Sequence, residues 1–465
     1  MLSSIGLLKR LLPLVLFIAI VPAAVGPIRN YDFFWHLATG RWIAEHRALP
    51  LTDPFAVASD RGEWVNGEWL FEVVLHGFER VLGIAGLSWL RALFIAALFT
   101  LVLRFSENLL LTALAFAGAM PVIDLRPSGV AALFVVLAIA VARKNNAILY
   151  AVLTVLWINV HPSALLAPVI ALLLTRKVPI TLASVVALLV NPYGIYGVLA
   201  PLRLLTFVGS GTFVNAEWLP SAPLTFPLLY ASIAIAAVVF AMKREDPGRV
   251  LLALLLAFLA VRHVRNQPLW FAAFPLLVAP SMRAIPRALE YVASAALLAF
   301  VAIRGDHRLG VSPFRFPLQA VARLKASGLR GNVYNPDQFG GFLIWSFYPE
   351  RRTLTDGRNE LYRAFIPEYA RARLDQRAWR ELLRRYRIDL AVDEYRPPLD
   401  VMNGVTRQRT KMPASLAYWP RQQWALIAFD RAAMVFARRD AFSREQLAQW
   451  EIRGVVPDTL DGRAR

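Results

Sequence analysis

The chain has 465 residues, of which 57% are hydrophobic, and its mean hydropathy is +0.48. Soluble domains are roughly 45–50% apolar, so the composition excludes an ordinary soluble protein and predicts an integral membrane protein. Cysteine is absent, which excludes a disulfide framework and a thiolate metal site. The net charge of +19 indicates basic cytoplasmic loops and a basic tail, in preference to nucleic-acid binding.

Apolar runs recur along the first 304 residues, and a membrane span needs roughly 17–25 such residues. The first run resembles a signal peptide, but it is long and lacks a clear cleavage site, so we interpret it as a retained span. The stretch 195–215 is broken by Pro201 and Gly209, which favours a helix lying in the interface. We predict about eleven transmembrane helices, at 9–27, 83–104, 107–123, 128–143, 146–160, 162–175, 178–192, 224–242, 249–264, 268–282 and 287–304.

The loops between these runs alternate in charge. One set is short and basic, as cytoplasmic loops are, and includes Arg143-Lys144 and Lys243-Arg244. An odd number of spans then places the amino terminus in the cytoplasm and the tail outside. The opposite, outer set contains the segments 28–82, 123–128, 159–163, 191–194, 215–218, 262–268 and everything after 304.

The composition becomes mixed after the last apolar run. We therefore predict a transmembrane domain, residues 1–304, with a large first outer loop at 28–82, followed by a soluble α/β domain, residues 305–465. No glycine-rich phosphate loop of the nucleotide-binding kind is present. The predicted elements of the tail are strands at GNVYN, RRTLTDG and IDLAVDEY, a helix or turn at DQFGGFLIWSF, a helix at LDQRAWRELLRRY, and a closing hairpin from WALIAFD to RAAMVFAR.

The motif DGR, Asp356-Gly357-Arg358, follows one of these predicted strands. Asp-Gly is a strong turn signal, so we predict a structural turn whose acid pairs locally. A contact with an acceptor substrate is the functional alternative.

The outer segments share a mixture of carboxylates, imidazoles and guanidinium groups. Ionisable groups near membrane depth are costly and indicate function by default. The plainer alternative is that each is a loop residue that anchors a helix end. The candidate residues are Asp32, His36, Asp53, Glu68, Asp124, Arg126, His161, Glu217, Arg262, His263 and Arg265.

Asp32 stands among aromatic residues in YDFFWHLATGRWI, directly after the first apolar run. A partly desolvated carboxylate can act as a general base near neutral pH, so Asp32 is the candidate catalytic residue. The alternative is a helix N-cap, because Asp is a preferred cap and an amphipathic helical pattern follows it. One residue could serve in both roles.

Asp32 and His36 are four positions apart and would share one helix face, which is half of a divalent metal site. His161 or Asp124 would have to complete it. The spacing alone is a weak signal, so we predict no cofactor and leave a divalent metal as an alternative.

RHVRNQP places Arg262, His263 and Arg265 together at an outer helix end, and Arg126 and His161 lie in other outer segments. Arginine suits bidentate phosphate recognition, so these five residues are the candidate substrate and phosphate ligands. Snorkelling toward lipid headgroups is the alternative. Cations beside a desolvated carboxylate suit sugar transfer from a polyprenyl carrier, because the cations stabilise charge growing on the leaving phosphate.

Several motifs together resemble one family of polytopic bacterial membrane proteins. They are YDFFWHLATGRWIAEHRALPLTDPFA, WVNGEWLFEVVLHGFERVLG, WINVHPSALL, VNPYG, AEWLPSAP, RHVRNQPLW, VYNPDQFGGFLIW and LTDGRNELY, and they span about residues 28–370. That family is similar to the GT-C glycosyltransferases, which include oligosaccharyltransferases and protein mannosyltransferases.

The resemblance implies a bacterial inner-membrane enzyme with a periplasmic or extracellular tail and a lipid-linked sugar donor. It makes Asp32 the catalytic acid group of the first outer loop. The superfamily often has two adjacent acids there, whereas YDF has one. NPDQFGG occupies the place of the acceptor-reading motif of oligosaccharyltransferases, but its residues do not match, so no role is transferred.

We therefore predict a membrane glycosyltransferase that transfers a sugar from a polyprenyl-phosphate-linked donor to a glycan, lipid or protein acceptor. Membrane lipids are its surroundings, and nucleic acid is not a partner. A non-catalytic scaffold that handles a lipid-linked glycan is the alternative. A transporter is disfavoured because the charges gather at one face instead of mid-span.

Overall fold

The fold is described from a computed structural model of the chain. The structure describes residues 4–60, 62–209, 211, 215–283, 285–402 and 409–460.

Helices make up most of the first 304 residues. They are α1 (Ser4–Ala24), α2 (Phe33–His46), α3 (Trp69–Ser106), α4 (Leu109–Ala119), α5 (Pro127–Ala142), α6 (Ala147–Ile158), α7 (Leu166–Thr175), α8 (Val178–Ala187), α9 (Ile195–Gly209), α10 (Pro227–Ala241), α11 (Pro247–Arg262), α12 (Gln267–Val278) and α13 (Arg287–Arg304).

Each of the eleven predicted apolar runs overlaps one of these helices, and the residues between the runs explain where the helices begin. Asn108 caps α4 by accepting a hydrogen bond from the Leu111 amide at 2.8 Å, and Asn146 caps α6 in the same way. Proline stands in the first turn of α5, α8, α10, α11 and α12, where its missing amide costs nothing.

By length and hydropathy, one described helix can cross a bilayer alone. It is α3, which is 38 residues long and is kinked at Gly83 (φ 63°, ψ 176°). The other apolar helices, from Leu11–Ala24 to Pro227–Ala241, have 10–17 residues. A 16-residue helix is about 24 Å long, less than a hydrocarbon core of roughly 30 Å. Eleven membrane crossings therefore stay a prediction.

The helix α3 begins earlier than its predicted span. Residues 69–82, which the sequence analysis placed in the first outer loop, form the part of α3 that precedes the Gly83 kink. Their polar residues Glu72, His76 and Glu79 hid this helix from a search for apolar runs. Of the stretch 195–215 predicted to lie in the interface, residues 195–209 form α9, and none of them is buried. Residues 210 and 212–214 lie outside the described part of the chain.

The chain divides into two compact units. The helical unit contains Met1–Ile28 and Val65–Gly310, and the mixed unit contains Arg29–Trp64 and Val311–Arg465. Most of the predicted first outer loop, with α2, therefore belongs to the same unit as the tail. The division into a membrane domain and a soluble domain stays a prediction.

In the helical unit, α12 is the central helix, because every one of its residues is buried. It packs against α3, α4, α5, α10 and α11. The Trp270 indole donates a hydrogen bond to Ser232 Oγ at 2.8 Å, so the polar atom of this buried ring is satisfied.

Large apolar side chains are exposed elsewhere in the helical unit. They include Val81, Ile148, Val178, Val292 and Ile303, each more than two-thirds exposed. A soluble monomer rarely presents so much apolar surface.

The tail adds both helices and strands. Its helices are α14 (Leu318–Ala326), α15 (Asp337–Phe347), α16 (Phe365–Ala372), α17 (Gln376–Arg385), α18 (Ala414–Tyr418) and α19 (Arg444–Ala448), and its strands are β1 (Asn332–Tyr334), β2 (Ile388–Glu394), β3 (Leu399–Met402), β4 (Arg409–Met412), β5 (Trp424–Phe429) and β6 (Ala433–Arg438).

The main sheet has four strands in the order β1-β2-β6-β5. The pair β1–β2 is parallel, whereas β2–β6 and β5–β6 are antiparallel. The predicted hairpin is confirmed as β5–β6. The predicted strand RRTLTDG is wrong: only Thr353 forms bridges, with Ala56 and Val333. The chain bends at Gly357, so the ladder does not continue.

The core of the mixed unit is aromatic and draws on both of its segments. Tyr334 and Trp419 from the tail pack with their ring centroids 5.0 Å apart. Trp35, Phe55 and Trp64 from the first segment are buried in the same cluster. The first segment therefore supplies part of this core, and the tail is not a complete folding unit by itself.

We predict that Phe55→Ala destabilises the full-length protein by about 3–5 kcal/mol, the usual cost of truncating a buried aromatic residue. Phe55 is 1% exposed. The matched control is Phe314→Ala, because Phe314 is 56% exposed in the same unit. Thermal unfolding in detergent measures both variants, and equal melting temperatures would contradict the assigned core.

Candidate active site

Asp32 lies at the start of α2, but its side chain does not cap the helix. Its backbone has helical angles (φ −75°, ψ −22°), and its carboxylate makes no capping hydrogen bond. Oδ1 instead accepts a hydrogen bond from the Trp35 indole at 3.3 Å. The capping alternative is therefore wrong for the side chain, and the carboxylate is held by an aromatic donor one turn along the helix.

The aromatic residues beside Asp32 anchor α2 in the mixed unit. The Phe34 ring lies 5.0 Å from the rings of both Phe316 and Phe342. Tyr31 contacts Phe316 edge-on at 5.5 Å. These contacts fix the first turn of α2 and with it the position of the Asp32 carboxylate.

Two glycines permit a close approach to this turn. A Cβ on Gly341, in α15, would lie 2.9 Å from the Tyr31 carbonyl oxygen. A Cβ on Gly357 would lie 2.6 Å from Asp32 Oδ1. A larger residue at position 357 would force the backbone of DGR and the Asp32 carboxylate apart. The Asp-Gly and Gly-Gly pairs are visible in the sequence, but their proximity to Asp32 is not.

The acid of DGR pairs locally, as predicted. Arg358 Nε donates to Asp356 Oδ1 at 2.8 Å, and Nη2 donates to Oδ2 at 2.5 Å. Arg358 Nη2 also donates to Asp53 Oδ1 at 3.0 Å. The Tyr362 hydroxyl donates to Asp356 Oδ2 at 2.5 Å. This buried group of four residues is here called the Arg358 network.

Aromatic rings and charge stabilise the Arg358 network. The guanidinium lies 4.6 Å from the centre of the Trp64 ring and 5.4 Å from that of Phe55. Burial opposes ionisation of Asp356, but the Arg358 guanidinium and its hydrogen bonds hold the pKa of Asp356 below its usual value. Burial likewise opposes the charge on Arg358, yet Asp356 and Asp53 keep its pKa well above the usual value.

His36 lies on the first turn of α2, four residues after Asp32. Its ring is buried against Trp35, with ring centroids 3.6 Å apart. Over the residues that the structure describes, no group of three or more His, Asp or Glu side chains could hold a metal ion. The half-site suggested by the i, i+4 spacing therefore gains no third ligand in this part of the chain.

A second cluster of predicted residues forms in the loops of the helical unit. Arg126, next to the first residue of α5, forms an ion pair with Glu217. The Arg265 guanidinium lies 4.4 Å from the centre of the Trp218 ring. His263 Nδ1 lies 2.6 Å from the Trp218 carbonyl oxygen. We call Arg126, His161, Glu217, His263 and Arg265 the loop cluster.

His161 is neutral in this cluster. Burial, followed by the charges of Arg265 and Arg126, lowers the pKa of His161 well below its usual value. Nδ1 accepts the Ser163 amide at 3.1 Å, which places the proton on Nε2. Nε2 lies 3.8 Å from Glu68 Oε1, so this contact is not an ion pair at neutral pH.

Glu217 is the counter-charge of the loop cluster. Burial opposes its ionisation, but Arg126 and Arg265 hold the pKa of Glu217 below its usual value. The Glu217 carboxylate thus faces two guanidinium groups, and a second carboxylate, Glu68, lies beside His161.

Two further predicted residues have other surroundings. Asp124 accepts a hydrogen bond from Arg91 Nε at 2.7 Å, which ties the loop before α5 to α3. Arg262 is the exposed last residue of α11, and no ion pair of its guanidinium occurs within the described part of the chain.

The predicted site residues thus fall into two groups. Asp32, His36 and Asp53 belong to the mixed unit. A single cavity that unites them with the second group stays a prediction. The second group, in the helical unit, is Glu68, Asp124, Arg126, His161, Glu217, Arg262, His263 and Arg265.

Comparisons place this geometry in a known fold. No protein-family model and no curated protein sequence matches the chain. The apo crystal structure of the oligosaccharyltransferase from Archaeoglobus fulgidus matches with a TM-score of 0.56 at 10% identity, over 83% of this chain and 70% of that one. This chain has an oligosaccharyltransferase-like fold.

Two more oligosaccharyltransferase structures from Archaeoglobus fulgidus agree. AglB in complex with an inhibitory peptide and a dolichol-phosphate gives a TM-score of 0.53 at 10% identity, over 88% of this chain and 75% of that one. The oligosaccharyltransferase in complex with Zn and sulfate gives a TM-score of 0.53 at 10% identity, over 87% of this chain and 73% of that one. The likeness shows a shared fold, and both the GT-C relation and the bacterial family stay predictions.

We predict that Arg358→Met destabilises the protein by about 3–5 kcal/mol at pH 7, because two buried carboxylates lose their cation. In the parent protein the lowered pKa of Asp356 contributes stability above the unfolded-state pKa, and this is lost as pH falls through the folded-state value. In Arg358→Met, protonation removes the uncompensated charge of the buried Asp356 carboxylate. The difference in unfolding free energy between the parent protein and the variant therefore becomes smaller between pH 7 and pH 5.

Thermal unfolding at both pH values measures this difference. The control is Arg377→Met, which removes an exposed arginine of α17. A deficit that is absent at pH 7, or that grows on acidification, would be incompatible with the assigned network.

We predict that Arg265→Gln raises the pKa of His161, because one of the two guanidinium groups that oppose its protonation is removed. Histidine-selective ¹⁵N NMR of the full-length protein measures the titration, and a His161→Gln spectrum identifies the resonance. Arg304→Gln serves as the control. An unchanged His161 titration in Arg265→Gln would show that the loop cluster is not electrostatically coupled.

Proposed function

We propose that this chain is a membrane glycosyltransferase of the GT-C type. It transfers a sugar from a polyprenyl-phosphate-linked donor to an acceptor on the outer face of the membrane. The observation that carries the proposal is the oligosaccharyltransferase-like fold, which extends over more than four-fifths of the chain. One of those structures holds a dolichol-phosphate and an inhibitory peptide, which suggests the lipid-linked donor.

Asp32 is the proposed general base. Its carboxylate is partly buried and fixed by Trp35, as a proton acceptor of defined geometry must be. Asp32 takes the proton of an acceptor hydroxyl or amide as the acceptor atom bonds to the anomeric carbon. The bond from that carbon to the carrier phosphate oxygen breaks, and the phosphate leaves with the electron pair. The configuration at the anomeric carbon is thereby inverted.

The loop cluster is the proposed site for the carrier phosphate. The guanidinium groups of Arg126 and Arg265 and the neutral His161 Nε2–H suit a growing phosphate charge. Because Glu217 forms an ion pair with Arg126, we assign the larger part of the electrostatic attraction for the phosphate to Arg265. Arg262, at the end of α11, provides a further donor for the phosphate. His263 holds the adjoining loop in place, because its Nδ1–H donates to the Trp218 carbonyl oxygen.

The exposed apolar side chains of the helical unit support insertion in a membrane, where lipid covers them. Short basic loops on one side favour a cytoplasmic amino terminus and an outer tail. We therefore place the protein in the bacterial inner membrane with residues 305–465 outside.

We predict that Asp32→Asn lowers transfer by roughly 10²–10⁴-fold, the usual contribution of a general base, while the protein remains folded. The assay supplies membranes with a panel of short-chain polyprenyl-phosphate hexoses and measures the release of free polyprenyl phosphate by mass spectrometry. Asn keeps the shape of the side chain and can still accept the Trp35 hydrogen bond.

Asp440→Asn is the matched control, because its carboxylate is 73% exposed in the same unit. Full activity of Asp32→Asn at parental abundance would remove the catalytic assignment. Absence of transfer by the parent protein with every donor would favour the alternative of a non-catalytic scaffold.

A further inference from the structure

A polar cleft lies in the mixed unit, outside the residues assigned above to catalysis. It runs between residues 52–60 of the first segment and the helices α16 and α17. Its two adjoining parts have volumes of about 640 and 520 Å³. Small-molecule sites commonly have about 300–1,000 Å³. Both parts share Val57, Ser59, Asp60, Arg385 and Tyr386, so they form one continuous cleft.

Arginine dominates the walls of the polar cleft. Arg371 and Arg385 line one part, and Arg352, Arg385 and Arg387 line the other. The guanidinium groups of Arg371 and Arg387 are exposed and make no ion pair with any described carboxylate. Arg352 donates to the Ala56 carbonyl oxygen at 3.0 Å. This hydrogen bond fixes the Arg352 guanidinium but leaves its positive charge uncompensated.

The polar cleft also carries three carboxylates, of which Asp53 is already paired with Arg358. Glu368 accepts hydrogen bonds from Arg385 at 3.2 Å and from the Tyr386 hydroxyl at 3.0 Å. Asp60 accepts the Arg363 amide at 3.0 Å. Four guanidinium groups against three carboxylates leave a net positive charge. An anionic ligand would relieve the repulsion among them.

The remaining lining atoms suit hydroxyl groups. Ser59, Thr52 and Asn332 offer side-chain donors and acceptors along the polar cleft. Burial, followed by the hydrogen bond to Glu368, raises the pKa of Tyr386 to about 12, so its phenol stays protonated. A polar lining excludes a lipid chain, whereas guanidinium forks match carboxylate, sulfate and phosphate groups.

We propose that the polar cleft binds an anionic saccharide, a sugar chain that bears carboxylate, sulfate or phosphate groups and belongs to the acceptor or to the lipid-linked donor. The arginines bind the anionic groups, and the hydroxyl, amide and carboxylate side chains bind the sugar hydroxyls. This inference rests on the proposed sugar transfer, and it adds the chemical class of the substrate.

Calorimetric titration of the full-length protein in lipid nanodiscs tests the proposal. The probe is trigalacturonate, and its trimethyl ester is the uncharged match. We expect the acid to bind and the ester to bind at least about tenfold more weakly, which corresponds to the loss of one charge-assisted hydrogen bond. The double variant Arg371→Gln/Arg387→Gln is expected to bind the acid about tenfold more weakly than the parent protein does.

The matched control is Arg377→Gln/Arg380→Gln, which removes the same charge from exposed positions of α17 that do not line the polar cleft. Equal binding of acid and ester would overturn the proposal. So would an equal effect of the two double variants, displacement of trigalacturonate by an equal concentration of sodium sulfate, or absence of binding by the parent protein.

Competition in the transfer assay identifies the source of the saccharide. Inhibition by trigalacturonate that is overcome by added acceptor supports the acceptor as the ligand, and inhibition overcome by added donor supports the donor glycan. Inhibition that neither substrate overcomes would contradict the proposal. Asp32→Asn is expected to bind trigalacturonate normally, so failure of the catalytic assignment and failure of the polar cleft are separate results.

Discussion

The mixed unit depends on the buried guanidinium of Arg358, which lies between the carboxylates of Asp53 and Asp356. Each of these charges would be costly in a dry interior without its partners. Together with Tyr362 they form a set of hydrogen bonds that connects the first segment of the chain to the tail. Gly357, between the two tail residues of this set, is thereby held against Asp32.

This arrangement separates support from chemistry. The Arg358 network is buried, and its one guanidinium is already shared by two carboxylates, so it holds the backbone and does not face a ligand. Asp32 stands at the edge of the same backbone with a partly exposed carboxylate. A rigid charged support behind a more accessible acid is the kind of preorganisation that a reacting group needs. The loop cluster differs, because its charged residues lie in the loops of the helical unit.

The sequence predicted the helices well, because apolar runs and the proline and asparagine residues between them are local signals. It also predicted the local pair in DGR and the β5–β6 hairpin from spacing alone. The partner Asp53 could not be found in this way, since it lies 305 positions from Arg358 and no periodic pattern spans that distance. The start of α3 was missed because Glu72 and Glu79 interrupt its apolar face.

The sequence also could not decide what the Asp32 side chain does. An acid directly before an amphipathic helix predicts a cap by local rules, yet the bond to Trp35 takes its place. The four arginines of the polar cleft come from three separate places in the chain. Their convergence is a property of the tertiary fold, and a charge count of the tail shows only that it is basic.

The discontinuous mixed unit has a consequence for biosynthesis. Asp53 is translated 305 residues before Arg358, and at about 5–20 residues per second this delay is roughly 15–60 s. During that time the first segment, with Trp35, Phe55 and Trp64, lacks the tail residues that bury it. Exposed aromatic surface of this kind invites aggregation and chaperone binding. Productive folding of the nascent chain therefore requires that the early segment be shielded until the last third of the protein has been made.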